Sequence, residues 1–202
     1  MNANRSIEFF DRQFRQQALD RHSQLNPFEQ AALPYLRGRV LDYGCGMGNL
    51  AFAAAAQGCT VLALDASPTA VSHIRQRAAA ESAPVDAVLA DLRDYEIQGD
   101  FDAVIAIGLL MFLDCPDAFR MLAHLQSRVR QGGIAVVNVL IEGTTYMEMF
   151  DPAHYCLFAR TELESRFAGW DLLKSEFSEF AAPGGTVKRF ATLIARKAQA
   201  GT

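Results

Sequence analysis

The sequence predicts an α/β fold: a doubly wound, mostly parallel seven-stranded sheet with an antiparallel last strand, in three αβα layers. Five short apolar runs between residues 39 and 140 alternate with helical patterns, which is typical of parallel strands joined by helices. The runs are almost continuously apolar, as expected for strands covered on both faces. Two later runs are separated by the short turn AAPGG at 181–185, so we expect them to pair antiparallel.

Local signals place the elements of the alternating region. Strands are expected at 39–44, 60–65, 85–91, 101–108 and 134–140. Helices are expected at 48–57, 67–82 and 116–130. Gly58 ends the first helix in the C′ position. Ser67 and Pro68 are a favourable N-cap and first residue for the second, and Gly132 with Gly133 stops the third.

The chain before the first strand is expected to be helical and amphipathic, with Asn26 capping a helix that begins near Pro27. We therefore divide one structural domain into an N-terminal segment, 1–37, that covers the ligand pocket, and a main unit, 38–202. After residue 140 the alternation stops. Residues 142–160 form a long connection rich in aromatic residues and methionine, and ordered loops of this length are usually functional.

The C-terminal part carries a second set of signals. Thr161 with Glu164 predicts a capping box for a short helix that ends near Phe167. Strands at 171–177 and 187–195 follow.

Composition excludes several classes of protein. The chain has 202 residues, about one domain, and a formal net charge of −4, which gives no general attraction to nucleic acid. No apolar run reaches the roughly 18 residues that span a membrane, and the N-terminus lacks a signal-peptide pattern. The four cysteines are far apart without a CxxC pair, which argues against a metal site or a disulfide scaffold and fits a reducing cytoplasm.

The stretch VLDYGCGMGN at 40–49 indicates a ligand-binding turn behind the first strand. A dinucleotide site needs G-x-G-x-x-G, but Asn49 stands where the third glycine belongs. The GxxxxGK[ST] pattern of a phosphate-binding loop is absent. A tight turn without a ligand is the alternative.

Two carboxylates follow later strands at the same predicted sheet edge. Asp65 ends strand two, where it can accept hydrogen bonds from ribose hydroxyls, and Asp91 ends strand three, where it can meet a purine amine. Either could instead be an ordinary turn residue. Together with the glycine turn they favour an adenosine-like ligand.

The same stretches resemble the successive motifs of class I S-adenosylmethionine-dependent methyltransferases. They are VLDYGCGMGN, ALD at 63–65, ADL at 90–92 and FDAVIAIGLLMFL. The chain is more narrowly similar to the TehB-type tellurite-resistance methyltransferases at LLMFL, TELESRFAGWDLL and KRFATLIARK. It departs from them in the last hairpin, where a segment with a histidine and an arginine is shortened to SEFAAPGGTVKRF, without a histidine. That departure counts against a tellurite or selenite substrate.

The resemblance implies S-adenosylmethionine as cofactor and assigns its methionyl and ribose contacts. Gly44, Gly46 and Gly48 are expected to let the backbone approach the cofactor. Asp42 is expected to face its ammonium group, through water, and Asp65 to hold the ribose hydroxyls.

The adenine contacts are assigned in the same way. Ala66 is expected to lie under the ring, and Ile107 to pack on another face of the adenine or ribose. Asp91 is expected to accept from the adenine amine, and Leu92 to donate its backbone N–H to the ring.

Methyl transfer does not by itself require an acid or base, so chemistry alone assigns no catalytic residue. Three segments are expected to surround the methyl group, and their candidates are Phe9, Phe10, Phe14, His22, Leu110, Met111, Asp114, Tyr146, Met147, Phe150, His154 and Tyr155. His154, Tyr146 and Tyr155 are the catalytic candidates. The alternative is that these side chains anchor the loop to the core. We expect Cys115 and Cys156 to be small buried apolar residues.

The function expected from these features is methyl transfer from S-adenosylmethionine to a small-molecule acceptor, such as a thiol, a chalcogen oxyanion or a small metabolite. We expect a cytoplasmic monomer or homodimer without a metal, a nucleic-acid partner or a membrane partner. Two alternatives stay open: a non-catalytic S-adenosylmethionine-binding module, and a nucleotide-dependent oxidoreductase.

Overall fold

A computed structural model gives the structure of the protein and describes residues 5–20 and 24–199. The sheet consists of β1 Arg39–Tyr43, β2 Thr60–Asp65, β3 Val85–Leu89, β4 Phe101–Ile107, β5 Val129–Leu140, β6 Asp171–Ala182 and β7 Thr186–Arg196. Their order is β3-β2-β1-β4-β5-β7-β6. The first five strands pair in parallel, and β7 runs antiparallel to both of its neighbours. The predicted mostly parallel sheet with a reversed last strand is confirmed.

Helices cover both faces of this sheet. They are α1 Arg5–Asp20, α2 Pro27–Ala32, α3 Asn49–Ala56, α4 Pro68–Glu81, α5 Cys115–Ser127 and α6 Glu162–Ser165. Residues of α2, α3 and α4 share one buried cluster with one face of the sheet, and residues of α5 and α6 share another with the opposite face. Because both faces are covered, the strands can be apolar on both sides.

Helix starts and ends follow the predicted signals in the N-terminal half. Asn26 and Glu29 form a capping box at α2, and the Ser67 hydroxyl accepts from the Ala70 N–H at α4. Gly58 follows the C-cap of α3 with φ of 90°, a conformation that glycine adopts without steric cost.

Three boundaries differ from the predictions. α5 ends at Ser127, before the predicted 130, because β5 already begins at Val129, which pairs with Phe101. The glycine pair therefore lies inside a strand at a register shift, where it accommodates a bulge. β3 ends at Leu89, so Asp91 follows the strand by two residues.

The C-terminal capping box is not formed. Thr161 makes no side-chain capping bond to α6, and Glu164 instead accepts a hydrogen bond from the Ser175 hydroxyl on β6. β6 is also longer than the predicted 171–177, because its whole length pairs with β7. Because most of β6 is exposed or half-buried, the alternation of apolar and polar residues that would predict a strand is weak.

The prediction that the chain has no disulfide is wrong. Cys115 and Cys156 form a disulfide that joins the start of α5 to the 142–160 connection, with their Cα atoms 4.8 Å apart. Cys45 and Cys59 are free and buried. Sequence spacing missed the pair because the partners lie 41 residues apart and meet only when α5 and the connection pack together.

Within residues 5–20 and 24–199, none of the helices has the length and apolar character that crossing a bilayer requires.

Candidate functional site

A cavity of about 520 Å³ opens at the carboxyl ends of β1, β2 and β4. Strand order reverses between β1 and β4, and open α/β sheets bind ligands at this switch point. The cavity is within the usual size range of small-molecule sites. Eight of the nine residues predicted to bind the cofactor line it: Asp42, Gly44, Gly46, Asp65, Ala66, Asp91, Leu92 and Ile107.

The glycine turn forms the floor of the cavity. Gly44, Gly46 and Gly48 all have positive φ, between 51° and 82°, which side chains other than glycine rarely adopt. A Cβ on Gly44 would lie 3.0 Å from the side chain of Leu109, which also lines the cavity. Gly48 has a different role, because a Cβ there would lie 2.8 Å from Ile74 of α4. Gly48 thus permits close helix packing and does not line the cavity.

Asp65 is held rigidly at the end of β2. Its Oδ2 accepts from the Gly46 N–H and its Oδ1 from the Ser67 N–H, both at 2.8 Å. Burial raises the pKa of Asp65, and these hydrogen bonds counteract the rise. Each carboxylate oxygen keeps a further lone pair for a ligand donor.

Asp91 carries a partner that the sequence analysis did not foresee. Arg93 binds both of its oxygens, at 2.9 Å and 2.6 Å. Hydrogen bonding to Arg93 lowers the pKa of Asp91, so the group is ionised at neutral pH. Leu92 lies beside it, and its carbonyl accepts from the buried Tyr43 hydroxyl at 2.6 Å, which fixes this stretch against β1.

Asp42 is a buried carboxyl group at the floor of the cavity, 4% exposed. None of the described residues donates a hydrogen bond to its side chain. Burial, followed by the charges of Glu29 and Asp65, raises its pKa to about 8. An unpartnered buried carboxyl is costly unless a ligand supplies its counterpart. Asp42 therefore marks where a cationic group of a ligand fits.

Aromatic side chains of α1 and of the turn Leu110–Phe112 close the cavity. Phe10 and Phe14 of α1 and Phe112 all line it. The rings of Phe10 and Phe112 meet edge to face at 4.9 Å. Phe14 covers the glycine turn, so a Cβ on Gly46 would lie 3.3 Å from its ring.

The three predicted catalytic side chains are not in the cavity lining. The Nδ1 atom of His154 lies 3.1 Å from Asp114 Oδ2, and its side chain is 59% exposed. Tyr155 packs on Phe150, and Tyr146 lies under the Lys188 ammonium.

The aromatic residues of the 142–160 connection mostly serve as anchors. Phe150 packs on Phe112, with ring centroids 5.1 Å apart, and belongs to a buried cluster with Met149 and Leu140. His22, named as a further candidate, lies outside the described residues.

Several lining residues were missed by sequence reasoning. They lie on α1, at or just before the start of α2, in the glycine turn and the start of α3, and in the loops after β2 and β3: Ser6, Gln13, Gln17, Gln24, Asn26, Glu29, Met47, Leu50, Ser67 and Arg93. For Ser6, Gln13 and Gln17 of α1 the sequence contains little indication of a site, because polar residues of an amphipathic helix look alike whether they face water or a ligand.

The charges of the lining discriminate between classes of ligand. Among the described lining residues the one basic side chain is Arg93, which Asp91 engages, whereas Asp42, Asp65, Asp91 and Glu29 supply four carboxyl groups. A phosphate-bearing nucleotide meets an unfavourable field here. The arrangement fits a nucleoside that carries positive charge. The described residues also contain no cluster of three or more metal-ligand side chains.

Comparisons with known proteins find similarity to methyltransferases. Residues 40–133 match the family described as "Methyltransferase domain". Hemagglutinin 1 of Eikenella corrodens is 29% identical over 87% of this chain and 59% of its own length. A probable S-adenosyl-L-methionine-dependent methyltransferase TehB of Haemophilus influenzae is 24% identical over 79% of this chain and 57% of its own length.

Among solved structures, TehB from Haemophilus influenzae superposes with a TM-score of 0.76 at 19% identity. The match covers 90% of this chain and 65% of that one. The chain thus spans less than two thirds of the length of these relatives, and the structural likeness establishes the fold.

Proposed function

We propose that this chain transfers a methyl group from S-adenosylmethionine to a small-molecule acceptor. The match of residues 40–133 to a methyltransferase domain and the similarity to TehB support this. The observation that carries the proposal is the cavity at the sheet's switch point. The cavity contains the glycine turn and an unpartnered buried carboxyl group, Asp42 on β1. A second carboxylate, Asp65, lies at the end of the neighbouring strand β2.

The proposed contacts follow the edge of the sheet. The Asp42 carboxylate binds the α-ammonium of the cofactor, directly or through water, and Asp65 accepts from the ribose hydroxyls. Asp91 and the Leu92 N–H bind the adenine edge. Ala66 and Ile107 supply apolar contacts to the ring and ribose.

The chain's contribution to the reaction is alignment and exclusion of water. When bound, S-adenosylmethionine supplies a methyl group that its sulfonium already activates. Phe10, Phe14 and Phe112 form an apolar wall that keeps water from the acceptor. The described lining offers no histidine or lysine, so the proposal includes no dedicated base and favours an acceptor that is nucleophilic at neutral pH.

The charge of the lining also bears on the acceptor. An oxyanion such as tellurite or selenite would meet four carboxyl groups and one guanidinium that is already paired. We therefore favour an acceptor without a negative charge, such as a thiol or a weakly basic amine, over a chalcogen oxyanion.

Turnover tests the proposal. Purified protein with S-adenosylmethionine and a panel of thiols, amines and hydroxyl compounds should form S-adenosylhomocysteine above background with at least one acceptor, and less with selenite. In parallel, S-adenosylhomocysteine should raise the melting temperature while NAD(H) should not. Stabilisation without stimulated turnover across the panel would favour a non-catalytic binding module, and stabilisation by NAD(H) alone would favour an oxidoreductase.

A further inference from the structure

We propose that Asp11 is a positioning residue for the cofactor: it latches α1 across the cavity and fixes, through Ser67, the carboxylate that binds the ribose. This inference rests on the proposed function. Asp11 lies on α1, far in sequence from the glycine turn and the strand ends, and does not line the cavity. It acts through Ser67, which does.

Asp11 makes the polar contact between α1 and the start of α4. Its Oδ1 accepts from the Ser67 hydroxyl at 2.5 Å and receives a longer contact from the Thr69 N–H at 3.4 Å. Both Asp11 and Ser67 are buried, 7% and 2% exposed. Burial alone would raise the pKa of Asp11, but the hydrogen bonds from Ser67 and Thr69, together with Arg15, hold it below its ordinary value.

An ionised carboxylate suits this position for two reasons. Charge-assisted hydrogen bonds are stronger than neutral ones. The carboxylate also lies at the N-terminus of the 14-residue helix α4, whose dipole favours a negative charge. The contact is therefore a specific attachment of α1 and not a surface ion pair.

Ser67 connects this attachment to the ribose carboxylate. Its hydroxyl donates to Asp11, while its backbone N–H donates to Asp65 Oδ1 at 2.8 Å. The Gly46 N–H donates to the other Asp65 oxygen at the same distance. The orientation of the Asp65 carboxylate thus depends on a residue whose own side chain is held from α1.

The same helix covers the cavity. Phe14 lies one turn beyond Asp11 and contacts Gly46 of the glycine turn. Phe10, one residue before Asp11, packs on Phe112, which also lines the cavity. A cofactor bound on the glycine turn would lie beneath these two rings, so we expect its release to be faster when α1 is less firmly attached. Breaking the Asp11–Ser67 hydrogen bond should therefore speed its release.

The dissociation rate of S-adenosylhomocysteine tests the latch. We expect Asp11→Ala to raise the rate constant about tenfold or more, the effect of losing one charged hydrogen bond. Asp11→Asn keeps an acceptor oxygen but loses the charge, so its rate constant should lie between those of Asp11→Ala and the wild type. The control is Arg12→Gln, an exposed position on the same helix, which should dissociate like the wild type.

A double-mutant cycle separates the latch from general destabilisation. Ser67→Ala alone should speed dissociation, and adding Asp11→Ala should add little, because both remove the same hydrogen bond. The melting temperature of each ligand-free variant shows whether the fold is intact.

Dissociation within twofold of wild type in both Asp11→Ala and Ser67→Ala, or fully additive effects, would overturn the latch while leaving the proposed function standing. Failure of the wild type to bind S-adenosylhomocysteine would instead overturn the proposed function, and the latch with it.

Discussion

Asp65 is the residue on which the proposed ribose contact depends. We expect Asp65→Ala to weaken binding of S-adenosylmethionine by about 2–4 kcal/mol, because two hydroxyls lose an ionised acceptor. Calorimetric titration measures this directly. Asp86→Ala, an exposed carboxylate on the neighbouring strand β3, is the matched control and should bind like the wild type. Equal affinity in Asp65→Ala and the control would sink the ribose assignment.

Asp42 should make cofactor binding depend on pH. With a pKa of about 8 the group is mostly protonated in the free protein at neutral pH, and it must ionise to pair with an ammonium. Affinity for S-adenosylhomocysteine should therefore rise from pH 6 to about pH 8, with release of a proton. Calorimetry in buffers of different ionisation enthalpy measures that proton, and Asp42→Asn should abolish its release. Release unchanged in Asp42→Asn would assign the proton to another group.

The Asp42 carboxyl group should also make stability depend on pH, but the free energy of unfolding should fall as pH rises whereas the cofactor affinity rises. Its pKa in the folded, ligand-free protein is raised from 3.8 to about 8, so between these values the folded state binds more protons than the unfolded state. The free energy of unfolding should fall as pH rises through this window, and Asp42→Asn should flatten the fall. Urea unfolding at several pH values checks this, and a wild-type slope that persists in the variant would contradict it.

At the residue scale, the sequence predicted the strand-end groups well because the strand ends fix where Asp42, Asp65 and Ile107 point. It could not predict the partners of those groups. Arg93 is close to Asp91 in sequence, but its side chain could equally have faced water. Asp11 reaches Ser67 across 56 residues, and no local pattern records such a contact.

Among the elements, the 142–160 connection owes part of its order to the disulfide. The bond closes a loop of 41 residues, for which the chain-entropy relation gives about 4 kcal/mol of stability. Reduction should therefore lower the urea midpoint, measured with and without a reductant. The double variant Cys115→Ser with Cys156→Ser should be insensitive to the reductant. A wild-type midpoint that does not move on reduction would contradict a stabilising disulfide.

The predicted ends and caps of elements were wrong where contacts with another strand outweigh the local sequence pattern. The Gly132–Gly133 pair is typical of a helix end. Val129, however, pairs with Phe101 of β4 and begins β5, so the two glycines lie at a bulge inside the strand. Thr161 and Glu164 have the spacing of a capping box, yet Ser175 on β6 engages Glu164 instead. Strands with covered apolar faces, β1, β2 and β4, were predicted to within one residue at each end, because burial leaves a strong sequence pattern.

For the whole molecule, topology does most to position the site. The reversal of strand order between β1 and β4 brings the glycine turn and Ile107 to one edge, and β2 adds Asp65 beside them. The alternation of strands and helices was enough to predict this edge. Segment 1–37 was expected to cover the pocket, and Phe10 and Phe14 of α1 do line it. The Asp11–Ser67 contact that attaches α1 could not be predicted, because it joins side chains 56 residues apart.

We propose that this edge of the sheet holds S-adenosylmethionine beneath α1. A crystal structure of the complex with S-adenosylhomocysteine tests it most directly. We expect the ribose hydroxyls on Asp65, the adenine beside Leu92 and the ammonium group toward Asp42, with Phe14 covering the ligand. A ligand bound outside this cavity, or one whose adenine lies against Asp42, would contradict it.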